Sequence, residues 1–241
     1  MRIAQLLAAK NTSRIKNPGV VIAFLGDSVT QGCFELYHTV DGELGVVMEP
    51  EHSYPSYVGQ ILNRLYPKAA PTILNAGASG DTAPGGLARV ERDVTRHAPD
   101  LTVVSFGLND CTAGEAGIAA YVEALAGIFD ALEAAGSEVV FLTENALCTY
   151  VSPREHDPAL RETCAASAEL QAGGMPERYF AAARELCAAR GIPVCDCHAL
   201  WQGMDAAGVD VTELLANRCN HPAREMNWLF AMELVKTMLL A

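Results

Sequence analysis

The feature that most constrains this chain is a repeated change of rhythm along it. Short apolar, β-rich runs recur at 20–25, 72–74, 101–106, 139–143 and 193–195, separated by stretches with helical spacing at 54–66, 85–97, 116–135, 176–190 and 223–240. Runs this brief and continuously apolar read as strands buried on both faces. Parallel neighbours need crossover connections, and the helical stretches supply them. The pattern therefore predicts a doubly wound α/β fold, a three-layer α/β/α sandwich around a mostly parallel central sheet. Gly136 and Gly191 stand just past two of the helical stretches, and Pro176 opens the second of those two, as helix punctuation should. The two least regular segments, 33–53 and 145–174, both leave the carboxyl ends of strands, where long loops shape binding sites and where a lid over a substrate is expected.

Composition narrows the function. The 241 residues carry 17 Lys+Arg against 29 Asp+Glu, a formal charge of −12. A chain of this length buries roughly 70% of the surface its unfolded form exposes, so one domain over 1–241 is expected. The negative charge repels a polyanion, and the densest basic run, Arg89, Arg92 and Arg96, is too sparse to offset it, so nucleic acid is not an expected partner. The apolar stretch at 20–25 is far short of the roughly 20 residues that span a bilayer, and no membrane partner is expected. Residues 1–10 lack a convincing small-residue cleavage site, which favours a cytoplasmic location without excluding secretion. The eight cysteines are read as reduced thiols, since the chain has core enough to stand without bridges. Cys195, Cys197 and His198 look like a fragment of a metal site, but no second pair completes it, so no metal is expected there.

Ligands of open α/β sheets bind beyond the carboxyl ends of the strands, and there this sequence is richest. Gly26-Asp27-Ser28 follows the first strand, Asn75-Ala76-Gly77-Ala78-Ser79-Gly80-Asp81-Thr82 the second and Gly107-Leu108-Asn109-Asp110 the third, while Asn220-His221-Pro222 precedes the last helix. A serine at a strand-to-helix turn holds its hydroxyl clear of the sheet and its amide where developing negative charge is stabilised. Each segment alone also reads as turn and cap chemistry, the reading preferred here for Asp81, Thr82 and Asp110. Asp27 is taken as a structural hydrogen-bonder. His38, His52, His97, His156 and His198 have no motif around them. Glu144 and Asn145, after the fourth strand, are candidate substrate contacts by position.

Those four segments, in order over 24–230, resemble the four blocks of the SGNH hydrolase superfamily, the GDSL-like esterases and lipases. The resemblance implies the flavodoxin-like fold of that superfamily and a serine carboxylic ester hydrolase without a cofactor. It assigns the nucleophile to Ser28, the general base to His221, and the oxyanion hole to the amides of Ser28 and Gly80 with the carboxamide of Asn109. The chemistry agrees with the residue types. A neutral hydroxyl needs an imidazole to take its proton, and fixed N–H donors stabilise the charge that grows on the carbonyl oxygen.

One position departs from the family pattern. An Asp commonly stands three residues before the histidine, and here that residue is Arg218, whose side chain cannot accept a hydrogen bond. The expectation is a Ser-His dyad with the Arg218 backbone carbonyl orienting the ring; the alternative is a triad completed by Asp196, Asp210 or Glu213. Small esters, acetyl esters of carbohydrates among them, are the expected substrates. A thioesterase or lysophospholipase, or a non-catalytic carbohydrate-binding module on the same fold, are the rivals. The oligomeric state is left open.

Overall fold

The computed structural model describes residues 1–240. In chain order its elements are α1 (Arg2–Thr12), β1 (Val21–Gly26), α2 (Ser28–Gln31), β2 (Cys33–His38), β3 (Leu44–Met48), α3 (Tyr54–Leu65), β4 (Thr72–Gly77), α4 (Ala83–Asp93), β5 (Leu101–Ser105), α5 (Ile118–Ala134), β6 (Glu138–Thr143), α6 (Pro158–Ala172), α7 (Met175–Arg190), β7 (Val194–Asp196), α8 (Cys197–Ala206) and α9 (Arg224–Leu240). Five strands form one sheet in the order β4-β1-β5-β6-β7, with every pairing parallel. This is the flavodoxin-like arrangement, and its switch point falls between β1 and β5, where the chain crosses from one side of β1 to the other.

Burial explains the strand signals. Ile22 to Leu25 of β1 and Val103 and Val104 of β5 are fully covered, as central strands between two helical layers must be. The edge strand β4 is only half-buried, which is why its apolar run is shorter than the strand. Helices α1, α3 and α9 pack together on one face, and α4, α5 and α7 on the other. Phe24, Phe106 and Phe141 are wholly enclosed, and truncating any one to Ala is expected to cost about 3–5 kcal/mol. Gly136 and Gly191 adopt positive φ after α5 and α7, as their positions predict. All eight cysteines are free and buried. Among the described residues, no helix is long and apolar enough to cross a membrane.

The two segments read as irregular contain structure. Within 33–53 lies the antiparallel hairpin β2–β3, whose register shifts between Cys33 and Leu36. Within 145–174 lies the 15-residue helix α6, started by Asp157, whose side chain accepts from the amides of Ala159 and Leu160, with Pro158 at its first position.

Candidate active site

Register brings the site together. Gly26 pairs with Gly77 on one side and with Ser105 on the other, so the turns after β1, β4 and β5 leave the sheet side by side. A side chain at Gly26 would run into Thr30 and the Ser105 carbonyl, and one at Gly77 into the backbone of Gln31, so the tight packing of this edge excludes a Cβ at either place. Asp27 caps α2 through Val29 N–H at 2.9 Å and thereby sets Ser28 at the first helical position. At that position the Ser28 amide has no intrahelical carbonyl to reach. In the turn after β4, Ala78 N–H donates to the Gly26 carbonyl, Ser79 N–H to Gln31 Oε1, and Asp81 N–H to the Ala78 carbonyl, which leaves the Gly80 N–H unused. Gly80 has φ +76° with open space around it, a conformation that strains any other residue.

The fourth segment closes on these from the far end of the chain. Asn217 Oδ1 accepts from the amides of Cys219, Asn220 and His221 at 3.1, 3.0 and 2.9 Å, which curls the loop and aims the imidazole inward. His221 Nε2 lies 3.0 Å from Ser28 Oγ, and its Nδ1 lies 2.9 Å from the Phe34 carbonyl. Because a carbonyl only accepts, the proton sits on Nδ1 and the lone pair of Nε2 faces the serine hydroxyl. Burial lowers the imidazole pKa below its ordinary value of 6.5, with the Phe34 carbonyl acting in the opposite sense.

The orienting carbonyl is therefore that of Phe34 in β2, and the expectation for Arg218 is corrected. Arg218 has φ +53°, and its carbonyl faces the Cys164 thiol at 3.8 Å. The three acids weighed as triad members are also engaged elsewhere. Asp196 binds Arg184 and Thr143, Asp210 caps the turn at Thr212 and accepts from Tyr150, and Glu213 pairs with Arg154.

Asn109 is held from two sides, its Nδ2 donating to Asp27 Oδ2 at 3.0 Å and to the Asp81 carbonyl at 2.8 Å. Behind Asp27 stands a residue that sequence reasoning assigned wrongly. Glu144 is fully buried, so it touches no substrate; its Oε2 accepts from Leu108 N–H at 3.0 Å, and its carboxyl lies close enough to that of Asp27 for the two charges to repel. Asn145 is equally buried and donates to the carbonyls of Ala146 and Asn220, the latter bracing the His221 loop. Burial pushes the Asp27 carboxyl up to about 6 and, together with the neighbouring Asp27 charge, holds Glu144 well above the ordinary carboxylate range. Position alone could not separate a wall residue from a buried prop.

Phe34 was also missed, since a backbone acceptor leaves no mark in residue type. Its strand is clamped by Arg224, the first residue of α9. The guanidinium donates to both carboxylate oxygens of Glu35 at 2.7 and 3.0 Å and to Glu49 at 2.6 Å, and it lies 4.3 Å from the centre of the Phe34 ring.

A flavodoxin-like sandwich with a serine–histidine pair and spare N–H donors at its switch point defines an SGNH-type hydrolase architecture. The chain belongs to the GDSL-like lipase/acylhydrolase family, whose sequence profile matches residues 24–228. It is 33% identical over 92 residues to an acetylxylan esterase from Geobacillus stearothermophilus, and 38% identical over 66 residues to an arylesterase from Vibrio mimicus. Those matches cover 38% and 27% of this chain, and the chain spans only 40% and 32% of the two relatives. Among solved structures it resembles a two-domain esterase active on acetylated mannans, with TM-score 0.67 and 19% identity over 98% of this chain and 52% of that one. It also resembles an acetylxylan esterase from G. stearothermophilus, solved as a catalytic mutant, with TM-score 0.65 and 17% identity over 92% and 95% of the two chains. At such identities the structural likeness speaks for the fold.

Proposed function

We propose that this chain is a carboxylic ester hydrolase that forms an acyl-enzyme on Ser28, with His221 as general base. The observation that carries the reading is the file Ser28 Oγ, His221 Nε2, His221 Nδ1, Phe34 carbonyl, with separations of 3.0 and 2.9 Å at its two hydrogen bonds. As Ser28 Oγ attacks the ester carbon, its proton passes to Nε2, and the resulting imidazolium is stabilised by the carbonyl at Nδ1. The C=O electron pair moves onto oxygen, where the amides of Ser28 and Gly80 donate to it and Asn109 Nδ2 shares one of its hydrogens. Collapse expels the alcohol, which takes the proton from Nε2–H. Water then attacks the acyl group by the same route and returns Ser28.

Acetyl esters of carbohydrates are the substrate class we infer, because relatives named for acetylated xylan and mannan share this fold or part of this sequence. The test compares acetyl, octanoyl and palmitoyl esters of one alcohol, together with acetylated xylo- and manno-oligosaccharides. The reading predicts the highest kcat/KM on acetyl esters and none above background in Ser28→Ala. Palmitoyl preference would replace the substrate class, and absence of turnover on every ester would sink the enzyme reading.

A further inference from the structure

Three thiols outside the serine–histidine pair converge from separate elements. Cys148 lies in the segment after β6, Cys164 on α6, and Cys219 on the loop that carries His221; all three are buried, and their sulfurs lie within 4.8 Å of one another. Their present contacts are weak ones. Cys148 Sγ donates to the Cys164 carbonyl at 3.3 Å, Cys164 Sγ to the Arg218 carbonyl at 3.8 Å, and Cys219 Sγ faces Ser167 Oγ at 3.4 Å. Backbone holds the group in place, with Cys148 N–H donating to the Cys219 carbonyl at 2.8 Å and Cys219 N–H to Asn217 Oδ1 at 3.1 Å.

Buried cysteine is ordinary as a small apolar filler, and Cys33, Cys111 and Cys187 are buried in that way. A trio on three elements is different, because three soft donors then face one point. A tetrahedral cation with metal–sulfur bonds of about 2.3 Å sets its sulfurs about 3.8 Å apart. From 4.8 Å, the widest separation allowed here, the contraction needed is about 1 Å or less. Rotation about χ1 of the three side chains moves sulfur that far without shifting backbone.

We propose that Cys148, Cys164 and Cys219 form a three-thiolate site for a thiophilic d10 cation, with Zn²⁺ as its best-suited occupant and the Ser167 hydroxyl beside the fourth position. On binding, three S–H bonds ionise, each sulfur gives an electron pair to the cation, and three protons leave to solvent; nothing is oxidised. Three thiolates and one divalent cation leave a net charge of −1, which the Ser167 O–H partly offsets by donating to sulfur. The site joins α6 and the segment after β6 to the loop two residues ahead of His221, so occupancy braces that loop without touching the ester-cleaving groups.

The test uses the reduced full-length chain, stripped with a chelator and titrated with Co²⁺. The site predicts thiolate-to-cobalt charge-transfer absorption with tetrahedral ligand-field bands, saturating at one Co²⁺ per chain and displaced by Zn²⁺. Cys164→Ala and, separately, Cys219→Ser should each weaken Co²⁺ binding by at least the roughly 10- to 100-fold that losing even an outer-sphere partner costs. Melting followed by circular dichroism identifies which variants remain folded. Cys195→Ala, which removes one of the pair of thiols 3.8 Å apart in β7 and at the start of α8, should leave the bands unchanged. The proposal is overturned by a wild type without charge-transfer bands, by bands that survive in folded Cys164→Ala and Cys219→Ser, or by bands that vanish in Cys195→Ala.

Discussion

The Phe34 carbonyl fixes the ring of His221, accepting from Nδ1–H at 2.9 Å across a sequence separation of 187 residues. No carboxylate takes that place. Substituting Asp196→Asn, Asp210→Asn or Glu213→Gln should therefore leave kcat within about tenfold of wild type, where loss of a triad acid costs on the order of 10⁴. Steady-state kinetics on a short-chain ester decides it, and a loss near the larger figure for any one would reinstate a triad.

The acid limb of the pH–rate profile follows from the same burial. Protonated imidazole cannot accept the serine proton, so activity falls as pH drops through the His221 pKa, which burial sets below 6.5. The limb of kcat/KM should then have its midpoint below 6.5 and be flat through neutrality. A midpoint above that value would contradict the neutral, carbonyl-held ring.

Oxyanion donors should be separable from the base. Asn109→Ala is expected to lower kcat by roughly 10²–10³ while KM changes little. Because Asn109 also anchors to Asp27 and Asp81, the melting temperature must be followed alongside. A KM effect with kcat intact would place Asn109 in substrate binding instead.

Arg224 offers a test of the hairpin clamp. Arg224→Ala removes the ion pairs to Glu35 and Glu49 and the contact with Phe34, a small loss of stability for pairs this exposed. Misplacing the carbonyl behind His221 should cost more in kcat, on the order of 10- to 100-fold. Faster amide exchange in β2 should accompany it. Unchanged kcat with exchange accelerated would show that the clamp does not govern the ring.

Glu144 and Asp27 carry a stability signature. Both carboxyls have raised pKa values, so between pH 4 and 6 the native state binds more protons than the unfolded chain. Stability then falls as pH rises across that window, by up to about 1.4 kcal/mol per pH unit for each such group. Glu144→Gln should reduce the slope without abolishing it, since Asp110 is also raised to about 6. Urea unfolding at several pH values reads this directly, and identical slopes in the two proteins would refute the raised Glu144 carboxyl.

Much of this was legible in advance because it rests on local rules. The apolar runs located all five parallel strands to within a few residues, and the residues just past β1, β4 and β5 come together at one edge of the sheet. Helix α6 was not legible: only Leu160 and Cys164 are buried on it, too thin an apolar stripe to show helical periodicity. The hairpin was hidden because β2 and β3 show no clean alternation of buried and exposed residues. Phe34 acts through its backbone and Glu144 through its burial, and neither property is written in a residue's identity.

A covalent bond to Ser28 Oγ is the most direct consequence of the proposed chemistry. Incubating the chain with a fluorophosphonate and mapping the adduct by mass spectrometry should place one phosphonyl group on Ser28, absent in Ser28→Ala and formed far more slowly in His221→Ala. An adduct on another residue, or labelling of wild type no faster than of His221→Ala, would contradict it.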